Sequence, residues 1–150
     1  MDKLSWKYKS FSELSTVELY DILRLRSEIF VVEQNCVYLD ADNRDQSSFH
    51  LCGWQGDTLL AYARILAPGV AYDEPSIGRV SISPAYRNNG AGRELMIKAI
   101  ELTLRQFPGL DIKIGAQLYL DKFYSSLGFN QLGNMYIEDG IPHIHMVRPR

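Results

Sequence analysis

Apolar and polar positions succeed one another along the 150-residue chain in an order that predicts its elements. Leu4, Trp6 and Tyr8 alternate with Ser5, Lys7 and Lys9, the period-two pattern of a half-buried strand. Ser15-Thr16-Val17-Glu18 then has the spacing of a capping box. Leu19, Ile22, Leu23, Arg26, Ile29 and Phe30 follow at helical spacing, and Val31-Val32 blurs the end of that helix. Residues 33–48 are polar and irregular. His50 to Trp54 and Leu59 to Leu66 form a hairpin across Gln55-Gly56-Asp57. Another short strand, Ile77 to Ile82, stops at Pro84.

A second helix carries Leu95, Met96, Ala99, Ile100 and Leu104 on one face and ends at Pro108-Gly109. A strand over Leu110 to Ala116 follows, then a shorter helix from Leu118 to Leu127 with Gly128 as its left-handed cap. Two closing strands flank the turn Glu138-Asp139-Gly140. The order β, α, several β, α, β, α, β, β predicts a mixed α/β fold rather than a regular doubly wound sheet.

Composition narrows the function classes. With 46% hydrophobic and 23% charged residues the chain has the material for one ordinary core, and no linker or repeat marks a second domain. A net charge of −2 argues against nucleic acid as the main partner. No run approaches the roughly 18 apolar residues of a membrane helix. The first residues show no apolar leader, and the two cysteines, Cys36 and Cys52, make no disulfide framework. A cytoplasmic protein is therefore expected.

The most informative stretch runs from Val80 to Arg93: a strand, a turn, then a Gly-bearing loop that opens the second helix. Unpaired N–H groups and the macrodipole converge at such a helix start and favour an anion. Gly90 and Gly92 let a phosphate approach closely, while Arg87 and Arg93 supply guanidinium forks. A phosphate-binding Walker loop is excluded because no Gly-Lys-Ser/Thr run exists, and a dinucleotide fingerprint is excluded because Leu95 stands at the third Gly/Ala position.

What remains is Arg87-x-x-Gly90-x-Gly92, followed downstream by Phe123-Tyr124-Ser125-Ser126-Leu127-Gly128-Phe129. This pair of motifs resembles the GNAT family of N-acetyltransferases. Residues 26–36 and 139–146 are similar to its ElaA-like group. The resemblance implies a centrally splayed β-sheet flanked by helices, the acyl-CoA N-acyltransferase fold, with acetyl-CoA as co-substrate and no metal. It implies that Val80, Ser81 and Ile82 pair with the pantetheine arm, and that Asn88, Asn89, Gly90, Ala91, Gly92 and Arg93 carry the pyrophosphate. The Ile82 N–H would polarise the thioester, and Gln117 stands where many members have Asn.

The resemblance also places Tyr124 at the family's general-acid position, although an amphipathic helix offers the same residue a role as core filler. For the base, Glu33, His50, His143 and His145 are candidates. Each has a plainer role: Glu33 as a solvated or Arg-paired carboxylate, each histidine as a hydrogen-bonded strand residue. The acceptor is expected to be an amine-bearing small molecule or peptide. The carboxylates of Glu33, Asp40 and Asp42 hint that it is cationic. A homodimer through an exposed sheet edge is a further expectation. Two other functions fit: a non-catalytic acyl-CoA sensor, and an acyl-homoserine-lactone synthase, which Arg26-x-x-Ile29-Phe30-Val31 followed by Asp40, Asp42 and Asp45 echoes.

Overall fold

The computed structural model describes residues 3–150. Its strands form two antiparallel halves. The first, in spatial order, is β1 (Ser5–Ser10), β2 (Ser48–Gln55), β3 (Thr58–Leu66) and β4 (Ser76–Ile82). The second is β5 (Ile112–Gln117), β7 (Ile141–Arg148) and β6 (Asn130–Glu138), with β7 in the middle. Helix α1 (Thr16–Arg26) connects β1 towards β2, α2 (Ala91–Gln106) links β4 to β5, and α3 (Asp121–Ser125) precedes β6. This is the expected mixed α/β sheet, parted at its centre.

Two apolar clusters hold helices on the sheet. Leu95, Met96, Ala99 and Ile100 of α2 pack with Leu51, Ile65, Ile77, Ile112 and Ile144. Ile22 and Leu25 of α1 pack with Cys52, Trp54, Leu59 and Tyr62. Strand β3 is therefore covered on both faces, which explains why 59–66 reads as a nearly continuous apolar run. Burial raises the Cys52 thiol to about 12, so it is an inert core group.

The capping box of α1 is formed: Glu18 N–H donates to Ser15 Oγ at 3.1 Å, and Ser15 N–H donates to Glu18 Oε1 at 2.8 Å. Its far end differs from the plain helix that periodicity predicts. Ser27–Glu33 winds as a π-helix, with Gln34 N–H donating to the Ile29 carbonyl at 3.2 Å. The branched and aromatic run Ile29-Phe30-Val31-Val32 crowds a regular α-turn, and the wider winding relieves it. The third helix is likewise shorter than its sequence pattern, with a 3-10 turn at Leu118–Leu120 before α3. Gly128, at φ 96°, ends it as expected.

The polar segment between α1 and β2 is tied down by a closed ring of charge. Arg26 donates to Asp40 at 2.8 Å and Asp45 at 2.7 Å. Arg64 on β3 donates to Asp45 at 2.8 Å and, through two nitrogens, to Asp42 at 2.8 and 2.7 Å. Arg79 on β4 closes the circle, reaching Asp40 at 2.8 Å and Asp42 at 3.3 Å. Each of the three arginines bridges two aspartates and each aspartate bridges two arginines. The carboxylates of Asp40 and Asp42 are thus neutralised inside the fold. They do not form the acidic front edge that their sequence position suggests, and the Asp pattern that echoes the lactone synthases has a structural use here.

Burial alone would raise the Asp42 and Asp45 carboxyls. The hydrogen bonds from Arg64 to Asp42, and from Arg26 and Arg64 to Asp45, outweigh it and hold both below the ordinary carboxylate range. A depressed folded-state pKa adds stability above the unfolded value of about 3.9 and loses it as pH falls through the folded one. Unfolding midpoints in urea should therefore decline steeply below about pH 4. Asp45→Asn leaves two buried guanidiniums under-partnered and should cost about 3–5 kcal/mol at pH 7. A loss below 1 kcal/mol in urea unfolding would show that the ring holds nothing together.

Candidate active site

The two halves of the sheet touch where β4 and β5 begin: Lys113 N–H donates to the Pro75 carbonyl at 3.0 Å. Beyond that bond the strands belong to different sheets, and a cavity of about 900 Å³ is lined by Ser76–Val80 and Ile82 on one side and by residues 114–117 on the other. Backbone alternation fixes which groups look into the gap. Ser83 N–H donates to Leu60 on β3 at 2.8 Å, so Ile82, one residue earlier, turns its N–H and C=O away from β3 and towards the gap. By the same rule Lys113 faces β4, and so do Gly115 and Gln117.

Ser81 differs from the expectation that all of 80–82 serve a ligand. It pairs with Tyr62 across β3, its side chain is buried, and its Oγ donates to the Arg79 carbonyl at 2.8 Å. Arg79 itself has φ 52°, a left-handed conformation that costs an ordinary residue about 1–2 kcal/mol. It marks a bulge in β4, and the bonds to Asp40 and Asp42 hold it there.

At the mouth of the gap lies the start of α2. Gly90 is its N-cap at φ 82°, Asn88 precedes it at φ 66°, and Asn89 Oδ1 accepts from Ala91 N–H at 3.1 Å. A Cβ added at Gly90 or Gly92 would meet nothing within 4 Å, so the loop borders open space wide enough for a bulky anion. Asn88, Gly90, Ala91 and Gly92 line the cavity; Asn89 and Arg93 do not. Arg93 turns instead to Ser126 Oγ at 2.9 Å.

Arg87 and Glu33 meet each other. The guanidinium donates to both Glu33 oxygens at 2.6 Å, and its Nε donates to the Ile82 carbonyl at 3.1 Å. The hydrogen bond from Arg87 keeps the Glu33 carboxyl below its usual range, so both of its oxygens are occupied and it is a poor proton acceptor. His50 is a second departure. It is 0% exposed and lies outside the cavity. Nε2 donates to the Asp45 carbonyl at 3.0 Å, and Nδ1 accepts from Tyr62 Oη at 2.7 Å. Burial lowers its pKa, so it stays neutral beneath the charge ring and does not share a cleft with Glu33 and His143.

Tyr124 and His143 both line the cavity. Tyr124 is 7% exposed, edge-on to Phe123 and Phe129, and burial raises its phenol to about 12. His143 Nδ1 donates to the Ile141 carbonyl at 2.7 Å, which leaves Nε2 as the basic nitrogen, 3.6 Å from Glu138. The imidazole stacks on Tyr136, which also stacks on His145 at 4.5 Å; Tyr72 meets His145 edge-on. Tyr72, Tyr136 and Glu138 went unnoticed at the sequence level. One signal was present: Asp139-Gly140 is a two-residue turn with both φ positive, so counting back from it pairs Tyr136 with His143.

A sheet opened between two strands, with a glycine-bearing helix start at its mouth, defines the acyl-CoA N-acyltransferase fold. The structure of such an enzyme from Pseudomonas aeruginosa matches at TM-score 0.93 and 39% identity, covering 97% of this chain and 99% of that one. The family model for the acetyltransferase (GNAT) domain matches residues 29–149, and the chain belongs to that family. Protein ElaA of Escherichia coli is 44% identical over 97% of this chain and 96% of its own, and its crystal structure matches at TM-score 0.91. A UPF0039 protein of Synechocystis is also 44% identical, over 97% of this chain and 95% of its own. Members of the family use an acyl-CoA and an acceptor.

Gly115 provides a test of the packing beside Tyr72 and Tyr136. A Cβ there would come within 2.8 Å of Tyr136 Oη and 2.9 Å of Tyr72 Oη. Gly115→Ala should displace both rings, at a cost of about 1–3 kcal/mol. A changed near-ultraviolet tyrosine spectrum with an intact α/β far-ultraviolet spectrum is the expected signature; an unaltered near-ultraviolet spectrum and melting point would refute the contact.

Proposed function

We propose that the protein moves an acetyl group from acetyl-CoA to a primary amine by direct attack within a ternary complex. The observation that carries this reading is the gap between β4 and β5, with the Ile82 N–H turned into it and the start of α2 at its mouth. Bound there, the coenzyme supplies an activated acyl carbon and a thiolate leaving group. Asn88, Gly90, Ala91 and Gly92 offer backbone to its diphosphate, and Ile82 and Gln117 offer backbone groups to the extended, amide-rich arm. The Ile82 N–H stabilises charge on the carbonyl oxygen as the amine attacks.

His143 Nε2 takes the proton that the ammonium must lose before it is nucleophilic, and Glu138 steadies the imidazolium. The C–N bond forms, and the C–S bond breaks with its electron pair left on sulfur. Tyr124 donates a hydrogen bond to that thiolate, and the second proton shed by the nitrogen is exchanged through solvent to the thiolate. Glu33 and Arg87 act together, as a strap from the π-helix to the end of β4, rather than as base and phosphate ligand.

Three measurements test the reading. In a thermal-shift screen with acetyl-CoA, CoA, ATP and NAD, the CoA forms alone should raise the melting point. At 100 times the dissociation constant the gain is about 2.7 kcal/mol, or roughly 5–10 °C for a chain of this size. A shift with ATP or NAD instead would end the proposal. Tyr124→Phe should lower thiol release by about 10–100-fold with coenzyme affinity unchanged. His143→Gln should lower kcat/KM by about 100-fold with coenzyme affinity unchanged. Turnover on no amine, with coenzyme binding retained, would favour a sensor.

A further inference from the structure

The acceptor half of the cavity carries charge of both signs once the internal pairs are set aside. Glu33 and Arg87 neutralise each other, and Arg64 and Arg79 are committed to the aspartate ring. Two charged groups of the lining remain near Tyr72, whose ring also carries Lys113 Nζ at 4.9 Å. One is Arg44, exposed and lining the cavity, whose guanidinium donates no hydrogen bond and makes no ion pair among the described residues. The other is Glu138, at 3.6 Å from His143 Nε2, with Asp139 beside it on the turn. Burial raises the Tyr72 phenol; Glu138 adds to that rise and Arg44 opposes it, so both lie within electrostatic reach of this ring.

We infer that the acceptor is a zwitterion, a free amino acid whose ammonium group lies at His143 and Glu138 and whose carboxylate is held by Arg44. This rests on the acyltransferase reading and names its substrate class. A guanidinium left unpartnered at the edge of a cavity is a fork waiting for a planar anion, and the carboxylate is the planar anion an amine substrate can carry. Glu138 serves the opposite end, where a cation is delivered to the group that deprotonates it. Tyr72, which lines the cavity near both charges, gives the rest of the molecule an aromatic surface. A simple diamine would satisfy Glu138 and be repelled by Arg44.

The test is thiol release from acetyl-CoA with the twenty amino acids, their decarboxylated amines and their carboxamides in matched pairs, the carboxamides standing also for residues within a peptide. At least one free amino acid should exceed both its amine and its carboxamide by tenfold or more in kcat/KM. Arg44→Gln should collapse that ratio towards one, mainly through KM, a loss of roughly 10–100-fold for a charge-assisted hydrogen bond. Arg44→Lys should restore part of it. Arg24→Gln, an exposed arginine away from the cavity, should leave the ratio intact. Preference for amines or carboxamides overturns the inference, as does an Arg44→Gln protein that keeps the ratio. So does turnover on no member of the panel while CoA still raises the melting point. If CoA gives no shift, it is the acyltransferase reading that has failed.

Discussion

The three-arginine, three-aspartate ring is the constraint on which the rest of the structure depends. It joins four pieces of chain: the end of α1, the polar segment after it, β3 and the bulge of β4. Ion pairs this deeply buried are poor sources of net stability, because removing six charges from water offsets most of their attraction. Their value here is positional. A closed circuit in which every charge has two partners admits one arrangement, and it fixes the left-handed backbone at Arg79 that an isolated strand would relax. The residues just beyond that bulge, up to Ile82, form one wall of the site.

That wall matters because it is an unpaired edge in the middle of a sheet. Exposed strand edges are normally hidden, since their free N–H and C=O groups recruit other chains. Here α2 and its loop separate β4 from β5 and leave two inner edges facing a cavity. The alternation of backbone hydrogen bonds then decides which residues can serve a ligand. Ile82, Gly115 and Gln117 turn inward, whereas Ser81 is consumed by β3. A ligand that inserts as a short strand would satisfy the inward groups, so the same geometry that weakens the apo sheet creates its affinity.

The parts of this design that were legible in sequence are those written in local patterns. The capping box at Ser15, the apolar face of α2, the left-handed cap at Gly128 and the Gly90/Gly92 loop each rest on residues within a few positions of one another, and each formed as expected. The ring was not legible, because its partners lie 14 to 39 residues apart and the Asp spacing alone reads as a solvated loop. The same gap misplaced two candidate bases. Nothing local to Glu33 says that Arg87 will fill both its oxygens, and nothing local to His50 says that the inner face of β2 lies under the ring. The π-helix was half visible: the run of β-branched residues signalled trouble for an α-turn without saying how it resolves.

The burial of Tyr124 limits the proton chemistry open to the site. A phenol pushed up to about 12 lies so far above a thiol near 8.5 that full proton transfer would cost roughly 5 kcal/mol. A step that steep adds more to the barrier than a protonated leaving group saves. A hydrogen bond from an unionised phenol carries no such cost, and in a dry pocket it stabilises sulfur as the C–S bond lengthens. In the proposed reaction the proton that the thiolate finally takes would then come from solvent. On the other side, the His143 imidazole has a carbonyl fixing its tautomer and a carboxylate to balance its charge. In the proposed reaction the two ends would thus draw on opposite environments: an apolar wall that keeps its proton at the leaving group, and a charged rim that accepts one at the nucleophile.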